Sequence, residues 1–121
     1  TYANVTGAEV HNDGEIYAGT MWRLRDLYLA NGLTIDNLFD DFVDGMNFTP
    51  SAPAFEHMRN GMLDSINADT VLTAAQKTAR CTLVWQAFAQ SGIGDGAIGR
   101  VLTTTSVSIT PSTVARANCT H

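Results

Sequence analysis

The sequence has few basic residues. Seven Lys and Arg stand against twelve Asp and Glu in 121 residues, which gives a formal net charge of -5, and the basic residues form no cluster. A groove for nucleic acid or a patch for an anionic membrane surface needs the opposite charge. The sequence also lacks an apolar run of about 18 residues, the length that spans a bilayer. We therefore expect neither a nucleic-acid partner nor a membrane partner.

The sequence is equally short of residues that build catalytic centres. Its three histidines, His11, His57 and His121, belong to no His-Glu-x-x-His pair, and a catalytic zinc needs several protein ligands. There is no evident Ser–His–Asp arrangement, and neither cysteine has the surroundings of a known nucleophile. The prediction is that the chain itself holds no metal and is not a complete enzyme.

What the chain does have is enough apolar sequence for one domain with a real core. Hydrophobic residues make up 45% of it, which is typical of a globular fold, and the length suits one domain better than two. Apolar residues recur at helical spacing, with stops at Gly32, Pro50 and Gly92. The pattern predicts an all-α fold of four to five helices and a short extended tail. The four main helices are expected near residues 13–31, 35–47, 53–67 and 74–91.

The second of these helices has the clearest pattern. Its apolar stripe consists of Ile35, Leu38, Phe39, Phe42, Val43 and Met46. Its other side carries Asp36, Asp40, Asp41 and Asp44. Aspartates on a periodic helix usually form a solvated face, and the spacing of an EF-hand loop is absent, so calcium is the weaker alternative.

The two ends of the chain show less order. Residues 1–12 are expected to form a loop or an extended segment. The glycines of residues 92–99 follow a helix rather than a strand, which favours a flexible turn over a phosphate-binding loop. Beyond them, Val107 and Ile109 alternate with polar residues and predict a short extended piece. We accordingly divide the chain into a helical domain, 1–100, and a Thr/Ser-rich tail, 101–121.

Several short motifs, weak singly, follow one another in a recognisable order. The first reads His-x-x-Gly-Glu-hydrophobic-aromatic-Ala from His11 to Ala18, ahead of a helix with Trp22 and several leucines. The others are Asp44-Gly45-Met46, Pro50, Pro53 and Phe55, Arg59, Met62-Leu63-Asp64, Leu83–Ala89 and Gly92–Ala97. From about Glu9 to Ala97 the chain thus resembles the C-terminal helical subdomain of fungalysin-type zinc metallopeptidases, which are relatives of thermolysin.

The resemblance implies that this chain is one of two halves of a longer protein and that the two halves have different roles. In thermolysin-like peptidases the upstream half carries His-Glu-x-x-His and a glutamate ligand, so the cofactor zinc would be bound there and not by this chain. The downstream half carries a histidine that faces the substrate, and His11 matches it. Glu15 is expected to support the helix start by a hydrogen bond. In thermolysin an aspartate orients this histidine. The corresponding residue here is Thr6, so the sequence departs from thermolysin at this position. Glu9 or Asp13 could take the role of that aspartate.

The resemblance also implies a secreted, oxidising setting, in which a Cys81–Cys119 disulfide is favoured over two free thiols. We interpret the sequence as the C-terminal half of a secreted zinc metalloendopeptidase. Its partners would be the N-terminal catalytic half of the same protein and a protein or peptide substrate. One alternative is a non-catalytic helical interaction module, which the missing zinc motif and Thr6 favour. Another is an independent small helical binding domain.

Overall fold

The computed structural model describes residues 1–4, 10–51, 53–101 and 107–121, with the backbone alone at 4, 10–13, 100, 101, 107 and 108. In this part of the chain four helices surround one core, and a small antiparallel sheet lies at its edge. The helices are α1 (Val10–Ala30), α2 (Ile35–Met46), α3 (Phe55–Ala68) and α4 (Ala74–Gln90), and the strands are β1 (Ile98–Val101) and β2 (Val107–Thr110). The expected all-α class with a short extended tail is confirmed.

Local chemistry explains where the helices start and stop. Thr34 and Thr73 each accept a hydrogen bond from the backbone N–H three residues later and so cap α2 and α4. Gly32, with φ of 78°, lets the chain turn after α1, and Gly92, with φ of 84°, does the same after α4. Gln76 also accepts the Thr73 N–H at 2.9 Å, so Thr73 and Gln76 form a capping box.

The core lies between α1, α3 and α4. Trp85 and Phe88 of α4 are fully buried, as are Leu24 and Tyr28 of α1 and Met62 of α3. These side chains recur at three- and four-residue steps, so each helix turns one apolar face inward. The helical recurrence of apolar residues that the sequence shows thus corresponds to buried faces of α1, α3 and α4.

The N-terminal prediction was wrong in two respects. Residues 2–4 form a short 3₁₀ helix rather than a loop, and Tyr2 is only 1% exposed. In addition α1 begins at Val10, so His11 lies inside its first turn and not before it. The sequence pattern missed the early start because Asp13 and Gly14 read as boundary residues.

α2 buries less of its apolar stripe than its sequence suggests. Leu38 and Phe42 pack against the core. Four members of the stripe are exposed, namely Ile35, Phe39, Val43 and Met46. Of the aspartates expected on a solvated face, Asp36, Asp40 and Asp44 are exposed, whereas Asp41 is buried. The interpretation of Asp41 was therefore wrong.

The glycine-rich stretch contains more regular structure than the flexible turn expected of it, and the tail pairs with it. Gly99 lies in β1, which pairs with β2 so that it stands opposite Ile109. The tail then runs beside the loop after α4, where Ser112 exchanges backbone hydrogen bonds with Gly92 and Gly94 at 2.8 and 2.7 Å. The short extended piece around Ile109 is confirmed, and it is packed onto the domain.

A disulfide joins Cys81 in α4 to Cys119 in the tail, 38 residues apart in sequence. Beside it, the Trp85 indole N–H donates to the Asn118 carbonyl at 2.9 Å. The tail is thus held to α4 by a covalent bond and by a hydrogen bond.

Among the described residues no helix is long and apolar enough to cross a membrane.

Candidate functional site

The histidine that the resemblance singles out is the second residue of α1. Glu15 follows one turn later, with its side chain exposed. The side chain of His11, and the whole of Thr6 and Glu9, lie outside the described residues, so the backbone of His11 is what the structure locates. The first N–H groups of a helix lack partners within it and give this end a partial positive charge. His11 thus stands at an end of α1 that favours a negatively charged oxygen.

α1 is fastened to the end of α4 through a chain of hydroxyl groups. The Thr20 hydroxyl donates to the Ile16 carbonyl at 2.8 Å. Ser91 Oγ, 2.6 Å from Thr20 Oγ1, therefore donates its own proton to Thr20. Arg23 Nη1 in turn donates to Ser91 Oγ at 2.5 Å. Since Thr20 and Ser91 are both buried, these bonds fix the helix against sliding and rotation.

Aromatic rings fix the part of α1 nearest His11. The Tyr17 ring stacks on Phe55 of α3, with centroids 5.9 Å apart and an interplanar angle of 14°. Tyr2 lies against the same Phe55 ring at 5.6 Å, and its backbone N–H donates to the Ser91 carbonyl at 2.5 Å. The N-terminal segment (residues 2–4) and α1 therefore both contact Phe55 and Ser91, which act as two shared anchors.

A buried carboxylate lies beneath the N-terminal segment. Glu56 is 5% exposed; its Oε2 accepts the Tyr2 hydroxyl proton, and its Oε1 accepts the Gly99 N–H at 3.0 Å. Burial raises the pKa of Glu56, but the bonds from Gly99 and Tyr2 outweigh burial and hold the pKa below its ordinary value. Glu56 is thus a carboxylate at neutral pH and joins α3 to the N-terminal segment and to β1.

Arg59, one turn further along α3, serves the loop after α4. Its Nη1 donates to the Ile93 carbonyl at 3.1 Å and to the Gly94 carbonyl at 2.5 Å. The guanidinium carbon lies 4.6 Å from the Trp85 ring centroid, within cation–π range. Burial lowers the pKa of Arg59, yet the pKa of an arginine is so high that the side chain keeps its charge. Arg59 is thus a structural cation.

A second buried polar group joins the far end of α1 to α2 and α4. The Tyr28 hydroxyl donates to Asp41 Oδ2 at 2.6 Å, and Arg80 Nη1 lies 3.3 Å from the same oxygen. Burial raises the pKa of Asp41, and the bonds from Tyr28 and Arg80 offset only part of this. Tyr28 lies 17 residues after His11, or about 25 Å along a helix, so this group is remote from the candidate site.

The outward face of α1 is partly apolar. Trp22 is 64% exposed and Leu29 is 42% exposed, and Glu15 and Ala18 are exposed on the same side. By helical spacing, position 11 falls in line with 15, 18, 22 and 29. A body that covered this face would therefore meet the start of α1 as well.

The described residues do not fit a zinc site. No group of three or more His, Cys, Asp or Glu among them could hold a metal ion. His57 Nδ1 accepts the Ala54 N–H at 2.8 Å at the start of α3, and His121 Nε2 pairs with Asp64 at 2.8 Å. The rings of His57 and His121 thus both have structural partners.

One surface groove lies away from α1. It has a volume of about 640 Å³ and lies beside the disulfide, between α3, α4 and the tail. Asp64, Lys77 and His121 line it. This groove contains residues of both charges, and His121 Nε2 lies 2.8 Å from Asp64 Oδ1 within it. None of the residues that line it comes from α1, so it is separate from the site at His11.

Comparison with known proteins decides the family. The family model described as fungalysin metallopeptidase (M36) matches residues 1–97. The chain belongs to the fungalysin metallopeptidase family. Membership covers α1 to α4 and the loop after them, which agrees with the resemblance seen in the motifs.

Fungal extracellular metalloproteinases are among the relatives of this fungalysin chain. It is 32% identical over 114 residues to the extracellular metalloproteinase MEP of Neosartorya fischeri, covering 80% of this chain and 17% of that protein. It is 34% identical over 104 residues to extracellular metalloproteinase mep of Aspergillus niger, covering 73% and 16%. It is 33% identical over 116 residues to extracellular metalloproteinase 4 of Trichophyton tonsurans, covering 80% and 17%.

The chain thus spans about a sixth of the length of these curated relatives. No solved structure matches it. The family and the relatives support a secreted protein related to metalloproteases.

Several residues that organise the site were not singled out from the sequence. Tyr2 lies in what the sequence predicts to be a loop, and Glu56 belongs to no motif. Their roles depend on partners 43 and 54 residues away in sequence. A weak signal existed for Glu56 and Arg59, because their spacing of three places both on one face of α3.

Proposed function

We propose that this chain is the C-terminal half of a secreted zinc metalloendopeptidase and that His11 stabilises the oxyanion formed during peptide-bond hydrolysis. The observation that supports the proposal is the agreement of family membership with the position of His11. The fungalysin model covers this residue, and it lies in the first turn of a helix that two anchors hold in place. Zinc would be bound by the upstream half, where it supplies the metal chemistry of the reaction.

The chemistry assigned to His11 requires one N–H donor. When the oxygen of water adds to the carbonyl carbon, the π electrons of the C=O bond move to oxygen, and that atom becomes negative. A ring N–H of His11 donates to this oxygen more strongly than to the neutral carbonyl. Because the bond strengthens as charge develops, it lowers the barrier instead of only tightening substrate binding. The partial positive charge at the start of α1 acts in the same direction.

The exposed face of α1 supports a partner at this site. Trp22 and Leu29 expose large apolar surface in line with position 11, and such surface is commonly covered by another protein body. We assign this face to contact with the N-terminal catalytic half of the same protein. The substrate would then lie between the halves, near the start of α1.

The test uses the full-length protein with His11→Ala. We expect kcat for a peptide substrate to fall by about 10²–10³, while KM changes little and the zinc content per molecule stays the same. His11→Gln keeps an N–H donor and should retain part of the rate. Gln86→Ala, at an exposed position of α4, is the control and should behave as the wild type.

Three results would contradict the proposal. An unchanged kcat in His11→Ala would mean that His11 only shapes the start of α1. A loss of zinc from His11→Ala would mean that the residue is a ligand. A wild-type full-length protein that folds but cleaves no peptide would instead favour the non-catalytic interaction module. The isolated chain should cleave nothing and bind zinc weakly, since it lacks the ligands and the general base.

A further inference from the structure

Tyr2 is held firmly against the body of the domain. Tyr2 is 1% exposed although it is the second residue of the sequence. Its hydroxyl donates to Glu56, its ring packs on Phe55, and its backbone N–H donates to the Ser91 carbonyl. Burying a tyrosine and a carboxylate together is costly unless both are fully hydrogen-bonded. The burial and hydrogen bonding of Tyr2 therefore indicate that the position of this residue matters.

The carboxylate that receives Tyr2 is itself held in one orientation. Glu56 Oε1 accepts the Gly99 N–H at 3.0 Å, which leaves Oε2 for the Tyr2 hydroxyl. Gly99 is required for this packing, because a Cβ at that position would overlap the Tyr2 hydroxyl. Tyr2 thus packs into a site formed by residues of α3 and β1.

Tyr2 and α1 contact the same two residues. Phe55 contacts both Tyr2 and Tyr17, and Ser91 bonds both Tyr2 and Thr20. Tyr17 and Thr20 both belong to α1, so a shift of Tyr2 would be transmitted through Phe55 and Ser91 to the helix that carries His11.

We propose that Tyr2 and Glu56 are positioning residues for His11: the buried Tyr2–Glu56 hydrogen bond fixes Tyr2 against Phe55 and Ser91, the two residues that also hold α1. The inference rests on the proposed function of His11 and adds two residues that do not touch the substrate. Neither residue takes part in the proton or electron movements of the reaction. Their contribution is to hold the donor within the small tolerance that oriented catalysis requires.

The decisive experiment is a double-mutant cycle in the full-length protein. Tyr2→Phe removes one hydroxyl and keeps the ring that packs on Phe55. We expect kcat to fall about ten- to hundredfold with KM changed less than about twofold, because a misplaced donor weakens contact with the transition state. In a His11→Ala background the same Tyr2→Phe change should leave kcat unaltered, because the group that it positions is gone.

Tyr28→Phe is the matched control. It removes a buried tyrosine hydroxyl from a buried carboxylate, Asp41, in the same way, but at the far end of α1. We expect Tyr2→Phe and Tyr28→Phe to lower the urea midpoint of unfolding by similar amounts. Only Tyr2→Phe should lower kcat. Glu56→Gln, which keeps the shape and an acceptor oxygen for Tyr2, should lie between the wild type and Tyr2→Phe in kcat.

The possible failures are distinguishable. If Tyr2→Phe lowers kcat equally with and without His11, or if Tyr28→Phe lowers kcat as much, the bond is merely structural and the inference is overturned. If His11→Ala alone leaves kcat unchanged, the proposed function of His11 fails first. If Tyr2→Phe is too unstable to assay, Glu56→Gln carries the same cycle with His11→Ala, and additivity there would also overturn the inference.

Discussion

The disulfide allows a stability prediction with a magnitude that follows from the structure. Cys81 and Cys119 are 38 residues apart in sequence, so the bond closes a loop of that size in the unfolded chain. The chain-entropy relation for a loop of this length gives about 4 kcal/mol at room temperature. Cys81 is fully buried, and replacing it by alanine removes one heavy atom from the core. We therefore expect Cys81→Ala/Cys119→Ala to lose about 4 kcal/mol of unfolding free energy.

The assay is urea unfolding followed by tryptophan fluorescence. Trp85 is buried, and its indole N–H donates to Asn118, one residue before Cys119. Its signal therefore reports the attachment of the tail to α4 as well as the integrity of the core. Gln86→Ala, beside Trp85 on the exposed side of α4, is the control and should change stability by less than about 0.5 kcal/mol.

A small effect would refute this reasoning. If the double variant loses less than about 1 kcal/mol, closing the loop does not constrain the unfolded state as assumed. Two alkylatable thiols in the native wild-type protein would refute it more directly, because no loop would then be closed.

Two further predictions concern buried groups. Because the folded pKa of Glu56 lies below its ordinary value of 4.5, its ionised form stabilises the fold above that pH, and this contribution is lost as pH falls through the folded pKa. Glu56→Gln should cost about 1–2 kcal/mol at pH 7, and urea titrations should show the difference from wild type shrinking below pH 4.5; a constant difference would contradict this. Gly61→Ala should destabilise the protein by about 1–3 kcal/mol, because the added Cβ would lie 2.5 Å from the Gly45 carbonyl oxygen. Gly19 has open space around it, so Gly19→Ala should stabilise α1 by about 0.5–1 kcal/mol. Thermal unfolding compares the two, and a Gly61→Ala protein as stable as Gly19→Ala would contradict the packing argument.

Helix number and type could be predicted because each helix carries a local signal. Thr73 and Gln76 form a capping box, Gly32 and Gly92 end helices, and apolar residues recur at helical spacing between them. Which apolar residues are buried was harder to predict. Phe39 and Phe42 look equivalent in sequence, but only Phe42 faces the core, because the packing partner determines which side of α2 is covered.

The site separates in the same way into local and nonlocal parts. His11 could be singled out because it stands in a run of residues that the family shares. The anchors could not, because Tyr2 meets Glu56 across 54 residues and Thr20 meets Ser91 across 71. No periodicity relates residues so far apart, and only the fold brings them together. Asp41 shows the converse error, since an acidic residue on a helix was expected in solvent and instead pairs with Tyr28 and Arg80.

The central claim is that His11 meets the oxygen that becomes negative in the transition state. The most direct measurement is the inhibition constant of a peptide phosphonamidate, whose tetrahedral phosphorus oxygens mimic that state, against full-length wild type and His11→Ala. We predict that the inhibition constant rises by the factor by which kcat/KM falls, about 10²–10³. An inhibition constant that is unchanged while kcat/KM falls, or a variant in which neither changes, would contradict the account.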